Sequence, residues 1–509
     1  MKSYKTFVAL FFYIHMIDIY DLVVIGSGPA GFSAAMRAID YGLKVCIVEG
    51  KHLGGAGIMN GALTSKTMYE LSMDYAIAAR VDRGYRASAL SVDYSAVQKT
   101  VIQAAKEKQY QMLSQIETFS PTHKKSGSLT LEYGWARFIS STSIEVTSAD
   151  DTKRIEGRNF VIATGSRPRE YPGLQIDGER IINSDGVLNL KEFPERMLII
   201  GSGIIGCEFA TIFSNFNQTE VHLLDRSNRV LPYEDEDVSK FVSHNLEKNG
   251  VIIHHTATLR HIRKHPTHLE VVLDYKAGHS KVIEVDVALV AIGRIPNTEG
   301  LGLDKVGIEL HERGIIPIQD DCLLRDGRGH CHVYAAGDVT GHAQLYSVAE
   351  FQGRLAAEKI GDYPRYPLDY SHMSTLMFFK PEVAAVGANE KMLRKQKIAH
   401  KVAFYSNKLV NRAIAMRNIN GFVKIMVSND DEQRILGMRA AGPQASAFIV
   451  SVAHLINQGN SLHEVLKIFY PHPSIPEGIQ ECLRMLDGKS IYKPEAFPDL
   501  IHLRIWNPD

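Results

Sequence analysis

No two cysteines in this chain stand close enough to make a CxxC, and there are only five in 509 residues: Cys46, Cys207, Cys322, Cys331 and Cys482. An odd, scattered set excludes a disulfide framework and offers no cysteine-based metal spacing. Such sparse use fits a reducing compartment, so the expected location is cytoplasmic. A charge excess is lacking as well. Lys+Arg and Asp+Glu are both 57, which leaves no footprint for nucleic acid or another polyanion. Long hydrophobic runs are missing too. The apolar stretch from Phe7 to Ile17 follows Lys2 and Lys5 in the manner of a weak signal peptide, but no small-residue cleavage site comes after it. It is too short to cross a bilayer, and a strand begins almost at once near Tyr20. Residues 1–17 are therefore expected to be an extension, with Met16 as a second candidate initiator, and no membrane partner is expected. Low-complexity tracts and coiled-coil heptads are also absent.

What remains is an ordinary globular composition, 45% hydrophobic and 22% charged, long enough for about three domains. The strongest signal is an internal repeat. An apolar strand over Ile19–Ile25 runs into Gly26-Ser27-Gly28-Pro29-Ala30-Gly31, and another over Met197–Ile200 runs into Gly201-Ser202-Gly203-Ile204-Ile205-Gly206. Helical stretches follow at Phe32–Tyr41 and Cys207–Asn215. Each then meets a second strand that ends in an acid, Glu49 in the first copy and Asp225 in the second. One GxGxxG is weak evidence. Two, each between strand and helix with an acid about 20 residues on, mark two dinucleotide-binding units. The first glycine permits the turn, the second lets a pyrophosphate approach, and the third lets the helix pack on the strand. The helix N-terminus then offers free N–H groups to the phosphates.

Two more strand ends, Phe160–Gly165 and Val287–Gly293, bracket the second repeat as domain crossings. A strand over His332–Ala336 ends in Gly337-Asp338, and from Tyr370 the pattern turns to mixed strands and helices without glycine fingerprints. The expected architecture is α/β. One dinucleotide-binding domain is formed by 18–165 and 295–369, a second by 166–294, and a separate α+β domain by 370–489, with a tail at 490–509.

The ordered set GSGPAG with Glu49, ATGSRP at 163–168, GSGIIGCEFA at 201–210, AIGRIPN at 291–297, AAGDVTG at 335–341 and HPSIPE at 472–477 resembles the class I pyridine nucleotide–disulfide oxidoreductases over roughly residues 18–490. That family includes dihydrolipoamide dehydrogenase, glutathione reductase, mercuric reductase and the soluble transhydrogenase. The resemblance implies FAD at Gly26, Gly28, Gly31, Glu49, Thr164, Gly165 and Asp338. It implies a nicotinamide cofactor at Gly201, Gly203, Gly206, Asp225 and Gly293. Lys66 matches the family lysine near flavin N5, and Glu208 matches its partner. His472 and Glu477 match the His–Glu pair that reaches the other subunit of a homodimer. Ile204 stands where some members carry an aromatic gate, and an aliphatic residue there is more like dihydrolipoamide dehydrogenase.

The resemblance breaks after Glu49. Where the family reads GGxCxxxxCxPSK, this chain reads Gly54-Gly55-Ala56-Gly57-Ile58-Met59-Asn60-Gly61-Ala62-Leu63-Thr64-Ser65-Lys66. Gly57 and Ala62 fall on the two cysteine positions, while the glycines and Ser65-Lys66 keep the register. A disulfide exchange needs one thiolate to attack and a second sulfur to hold the electrons. The expectation is thus an FAD-dependent NAD(P)H oxidoreductase with a non-disulfide, small-molecule acceptor. That acceptor is either a second nicotinamide, as in the transhydrogenase, or a quinone, dye, metal ion or oxygen. Dihydrolipoamide dehydrogenase and a non-catalytic FAD- and NAD-binding sensor or scaffold are the rivals. His472 and Glu477 either still deliver protons or persist as a structural remnant. Asp225 favours NAD(H), because a strand-end acid bonds ribose hydroxyls and repels a 2′-phosphate. Arg226 and Arg229 leave NADP(H) open.

Overall fold

The structure, a computed structural model, describes residues 19–123, 125–319, 322–324, 332–363 and 368–508. The extension at 1–17 and Cys331 lie outside the described residues. The chain divides into two compact units, one of residues up to 55, 111–165 and 296–366, the other of 56–110, 166–295 and 367–509.

In the first unit five parallel strands form one sheet in the order His332–Ala335, Asn159–Ile162, Leu22–Ile25, Lys44–Glu49, Ser128–Tyr133. Leu22–Ile25 is buried at every position, as a strand covered on both faces must be. Helices Pro29–Asp40 and Tyr346–Ile360 pack so closely that a Cβ on Gly353 would lie 2.0 Å from the Ala30 carbonyl oxygen. The opposite face carries Val23, Cys46, Phe160 and Ile162, which share a cluster with Phe138, Ile144 and Ile155 of a smaller sheet. The first repeat's helix starts at Pro29, before the expected Phe32, because a proline suits the first helical position, where its missing N–H costs nothing.

The second unit repeats the plan. Its parallel sheet runs Ile181–Asn183, Val287–Val290, Arg196–Ile200, Glu220–Leu224, Ile252–His254. A three-stranded antiparallel sheet of Ala257–Lys264, Leu269–Tyr275 and Ser280–Val285 accompanies it. The helix Ile204–Phe216 is buried at every residue from Gly206 onward and ends on Asn217 in the left-handed region. A helix buried all round needs cover on every side. Part of that cover comes from residues 56–110, which the sequence places in the first domain. The helix Ala62–Ala78 lies along Ile204–Phe216, and Asn215 Nδ2 donates to Ser72 Oγ at 3.1 Å. Met68, Tyr69, Tyr94, Val97 and Val101 share one cluster with Met197, Phe213 and Leu223.

The last part of this unit is a six-stranded antiparallel sheet: Ser374–Met377, Val383–Gly387, Ile435–Ala441, Phe422–Ser428, His400–Ser406, Ile501–Trp506. The segment after 489, expected as a tail, thus supplies the strand that pairs with His400–Ser406.

One buried cation ties this sheet to the parallel one. Lys424 is wholly buried, and its Nζ lies 2.9 Å from Asp235, 2.8 Å from Asp237 and 2.5 Å from Glu390. Arg504 adds contacts to Asp237 and Glu390 at 2.8 and 2.7 Å. Arg439 meets Glu234 at 2.9 Å. Burial opposes the charge on Lys424, but Asp235, Asp237 and Glu390 outweigh it and hold its pKa above the ordinary lysine value. Burial likewise opposes ionisation of Asp237, yet Lys424 and Arg504 carry its pKa down to about 2. Removing one partner of a buried pair leaves the others uncompensated. Lys424→Ala is therefore expected to cost about 3–5 kcal/mol, read as a lower thermal midpoint at neutral pH. The lowered Asp237 pKa means that its contribution is whole above the ordinary carboxyl range and is lost as pH falls towards about 2. The gap between wild type and variant should narrow over that acid range. A variant that melts with wild type at pH 7 would show that the cluster contributes nothing.

Candidate functional site

Both glycine fingerprints fold alike. Gly26 and Gly201 have φ of 104° and 113°, and a Cβ on either would strike a carbonyl oxygen, that of Ala163 at 2.4 Å or Ala291 at 2.5 Å. A Cβ on Gly31 would sit 1.9 Å from the Gly26 oxygen, and one on Gly206 would sit 1.9 Å from the Gly201 oxygen. These third glycines lie inside the helices and let each helix touch its own strand-to-helix turn. Around Gly28 and Gly203 a Cβ would meet nothing within 4 Å. Each is the N-cap of a helix without a side-chain cap. Open space in front of uncapped N–H groups at a positive dipole end suits a phosphate.

The two acids are fixed by the serines of the fingerprints, a relation that spacing alone does not show. Glu49, nearly buried, accepts from the Ser27 amide at 2.9 Å, from Ser27 Oγ at 2.5 Å and from the Lys51 amide at 2.7 Å. Asp225, 1% exposed, accepts from Ser202 Oγ at 2.8 Å and from the Ser227 amide at 2.9 Å through Oδ1. Its Oδ2 lies 2.9 Å from His255 Nδ1. That hydrogen bond, with the charge behind it, raises the His255 pKa above its ordinary value despite partial burial. No motif flags His255. Strand register supplies the signal, because its residue follows His254, the partner of Leu224.

Thr164 and Gly165 are clamped by Asn297. Thr164 Oγ1 donates to the Asn297 carbonyl at 2.7 Å, Asn297 Nδ2 donates to the Thr164 carbonyl at 2.9 Å, and the Asn297 amide donates to the Gly165 carbonyl at 3.0 Å. Gly337, at φ 81°, donates its amide to Gln352 Oε1 at 2.7 Å, and Asp338 follows at the start of a short helical turn. Gly293, φ 106°, accepts from the Arg169 amide at 2.9 Å.

Within the second unit, neighbouring helices bring Lys66 and Glu208 together. Lys66 Nζ is 2.8 Å from Glu208 Oε2, with the lysine side chain 30% exposed and the carboxylate 7%. Phe378 completes the arrangement. Its amide donates to Glu208 Oε1 at 3.1 Å and its ring centroid lies 4.8 Å from Lys66 Nζ. His472 and Glu477 also meet, with Nδ1 and Oε1 2.6 Å apart, while Glu477 Oε2 accepts from the Ser474 amide at 2.8 Å. The imidazole is 61% exposed.

Gly57 lies in the short turn Gly55–Ile58 and Ala62 opens the helix Ala62–Ala78. Gly61 between them admits no side chain, since a Cβ there would lie 2.2 Å from the Ala56 oxygen. Cys46, Cys207, Cys322 and Cys482 are all 0% exposed. Burial pushes the thiols of Cys46, Cys207 and Cys482 well above the ordinary range, so none of these is a thiolate at neutral pH.

The chain is similar to known proteins over most of its length. Residues 20–353 match the model described as pyridine nucleotide-disulphide oxidoreductase, and residues 373–483 match the dimerisation domain of the same family. A dihydrolipoyl dehydrogenase of Chlamydia trachomatis is 31% identical over 94% of this chain and 100% of its own length. One of Bacillus subtilis is 31% identical over 93% and 97%. Among solved structures, LpdA of Mycobacterium tuberculosis superposes with a TM-score of 0.82 at 26% identity, covering 91% of this chain and 99% of its own. The flavoprotein disulfide reductase RclA of Escherichia coli has the same fold, with a TM-score of 0.79 at 24% identity over 92% and 100%.

The glycines separate packing from ligand space. Gly206→Ala is expected to destabilise the second unit by about 2 kcal/mol or more, because its Cβ meets backbone that cannot swing aside. Gly203→Ala, which enters open space at an ordinary φ of −76°, is expected to melt within about 0.5 kcal/mol of wild type. Thermal denaturation of the two variants checks this, and equal losses would contradict it.

Proposed function

Since the chain belongs to the pyridine nucleotide-disulphide oxidoreductase family, we propose that it is an FAD-dependent NAD(P)H oxidoreductase whose electrons leave to an acceptor other than a disulfide. The observation that carries this reading is the pairing of an intact Lys66–Glu208 contact with a sequence that has Gly57 and Ala62 where the family has its cysteines. On the donor side NAD(P)H gives NAD(P)⁺, H⁺ and two electrons; a second nicotinamide takes these up as a hydride with no net proton, a quinone- or dye-type oxidant takes both electrons with that proton and one more, and a metal-type oxidant takes the electrons singly and leaves the proton in solution.

The cradle fits FAD on its own geometry: the space before Gly28, the uncapped helix behind it and the Ser27-held Glu49 match a pyrophosphate followed by a ribose. Gly26, Gly28, Gly31, Glu49, Thr164, Gly165 and Asp338 would hold FAD. Gly201, Gly203, Gly206, Asp225 and Gly293 would hold the nicotinamide dinucleotide. FAD, when bound, supplies the hydride and electron chemistry, and the protein supplies position and field. Lys66, paired with Glu208 and set over the Phe378 ring, would oppose negative charge developing on a bound flavin. His472, oriented through Nδ1 by Glu477, keeps Nε2 for a proton. A two-fold homodimer accords with the matched dimerisation domain and with exposed Phe469, Val450 and Ile491, at 98%, 66% and 69%.

Similarity to relatives named dihydrolipoyl dehydrogenase favours a second reading, turnover of lipoamide. That reaction requires two neighbouring sulfurs, whereas Cys46, Cys207, Cys322 and Cys482 are buried.

Anaerobic dithionite titration of the flavin-loaded protein distinguishes the readings. One electron pair per FAD should complete the reduction, with no thiolate-to-flavin charge-transfer band on the way, and lipoamide should not be turned over. Uptake of a second pair with such a band, abolished by alkylation, would replace this reading with a disulfide mechanism.

A further inference from the structure

The two fingerprints fold alike, but their acids are not held alike. Glu49 takes its hydrogen bonds from Ser27 and Lys51. Asp225 receives Ser202 and Ser227 on one oxygen and an imidazole on the other, His255 Nδ1 at 2.9 Å from Oδ2. A carboxylate has about four acceptor positions, so three are already filled before any ribose arrives. The buried acid that should bond two ribose hydroxyls and exclude a 2′-phosphate is thus largely occupied.

The imidazole also changes the charge of the site. Its side chain is one-third exposed, while that of Asp225 is 2% exposed. Asp225 fixes the proton on Nδ1 of the neutral ring, which leaves Nε2 an acceptor. Nε2 becomes a donor only in the imidazolium form. The charged groups facing the ring are Asp225 on the adjoining strand end and Glu247 on the helix Glu236–Lys248, both acidic and both favouring that form. Of the two arginines near the acid, Arg229 is turned inward, donating to the carbonyls of Pro232 and Glu234 at 3.2 and 3.3 Å. Arg226, directly after Asp225, is exposed.

We propose that His255 is the residue that sets the choice between a 2′-hydroxyl and a 2′-phosphate at the second dinucleotide site. As imidazolium it cancels the charge of Asp225 and, with Arg226, admits the phosphate. As neutral imidazole it leaves the acid to repel it. The site accordingly accepts both nicotinamide cofactors while the ring is charged and turns towards NAD(H) as the pH rises and the ring loses its proton. This rests on the reading of that site as the nicotinamide dinucleotide's.

Binding of adenosine 5′-monophosphate and adenosine 2′,5′-bisphosphate to the flavin-loaded protein, measured by calorimetry, tests the proposal without turnover. Both probes are essentially fully ionised between about pH 7 and about pH 9, above their phosphate titration near 6. The affinity ratio of bisphosphate to monophosphate should fall roughly three- to tenfold across that interval. His255→Gln keeps a donor for Asp225 but cannot become charged. Its ratio at pH 7 should match the wild-type ratio at pH 9 and should not move with pH, while its melting point stays that of wild type. His255→Ala frees Oδ2 and should tighten the monophosphate. A wild-type ratio that does not change with pH, or a Gln variant with wild-type behaviour, would overturn the role of His255. Failure of wild type to bind either nucleotide would instead overturn the reading of the site, and the proposal with it.

Discussion

Contact between a helix and its own turn, closer than any side chain allows, is the constraint on which this protein is built. At Gly31 and again at Gly206 a single added carbon would stand 1.9 Å from a carbonyl oxygen. Because the contact is that close, each helix starts directly over the end of its strand, and its free N–H groups face the space in front of Gly28 or Gly203. The same turn places a serine where it holds the acid of the neighbouring strand, Ser27 for Glu49 and Ser202 for Asp225. Fold and ligand cradle are therefore one arrangement, made twice.

Around the second copy the structure spends burial on charge. The helix Ile204–Phe216 is covered on all sides, yet it carries Glu208, whose carboxylate is held by Lys66 and by the Phe378 amide. Lys424, Arg439 and Arg504 meet four acids between the parallel sheet and the antiparallel sheet. Such clusters are costly unless each member is paired, and here the pairing fixes how the strands of one unit meet. Lys66 likewise gains a defined position from Glu208 and the Phe378 ring.

Gly57 and Ala62 have no nucleophilic atom, and Cys46, Cys207 and Cys482 are held as neutral thiols by burial. What the structure brings together is a lysine with its acid, and an exposed imidazole with its acid 2.6 Å away.

By itself the sequence determined the doubly repeated α/β plan, the two acids, the Lys66 and Glu208 candidates and the presence of Gly57 and Ala62 between the strand of Glu49 and Lys66. Each of these is written in local spacing: strand, glycines, helix and acid lie within a short span, and their physical roles follow from that span. Tertiary structure decided what spacing cannot express. Residues 56–110 joined the second unit because Ile204–Phe216 needed cover, and the segment after 489 became a strand because His400–Ser406 had an edge to fill. Phe378 reached Lys66 and Glu208 from far along the chain, and His255 reached Asp225 from the next strand of the sheet. Those contacts depend on packing and strand order, which bring together residues that no local pattern connects.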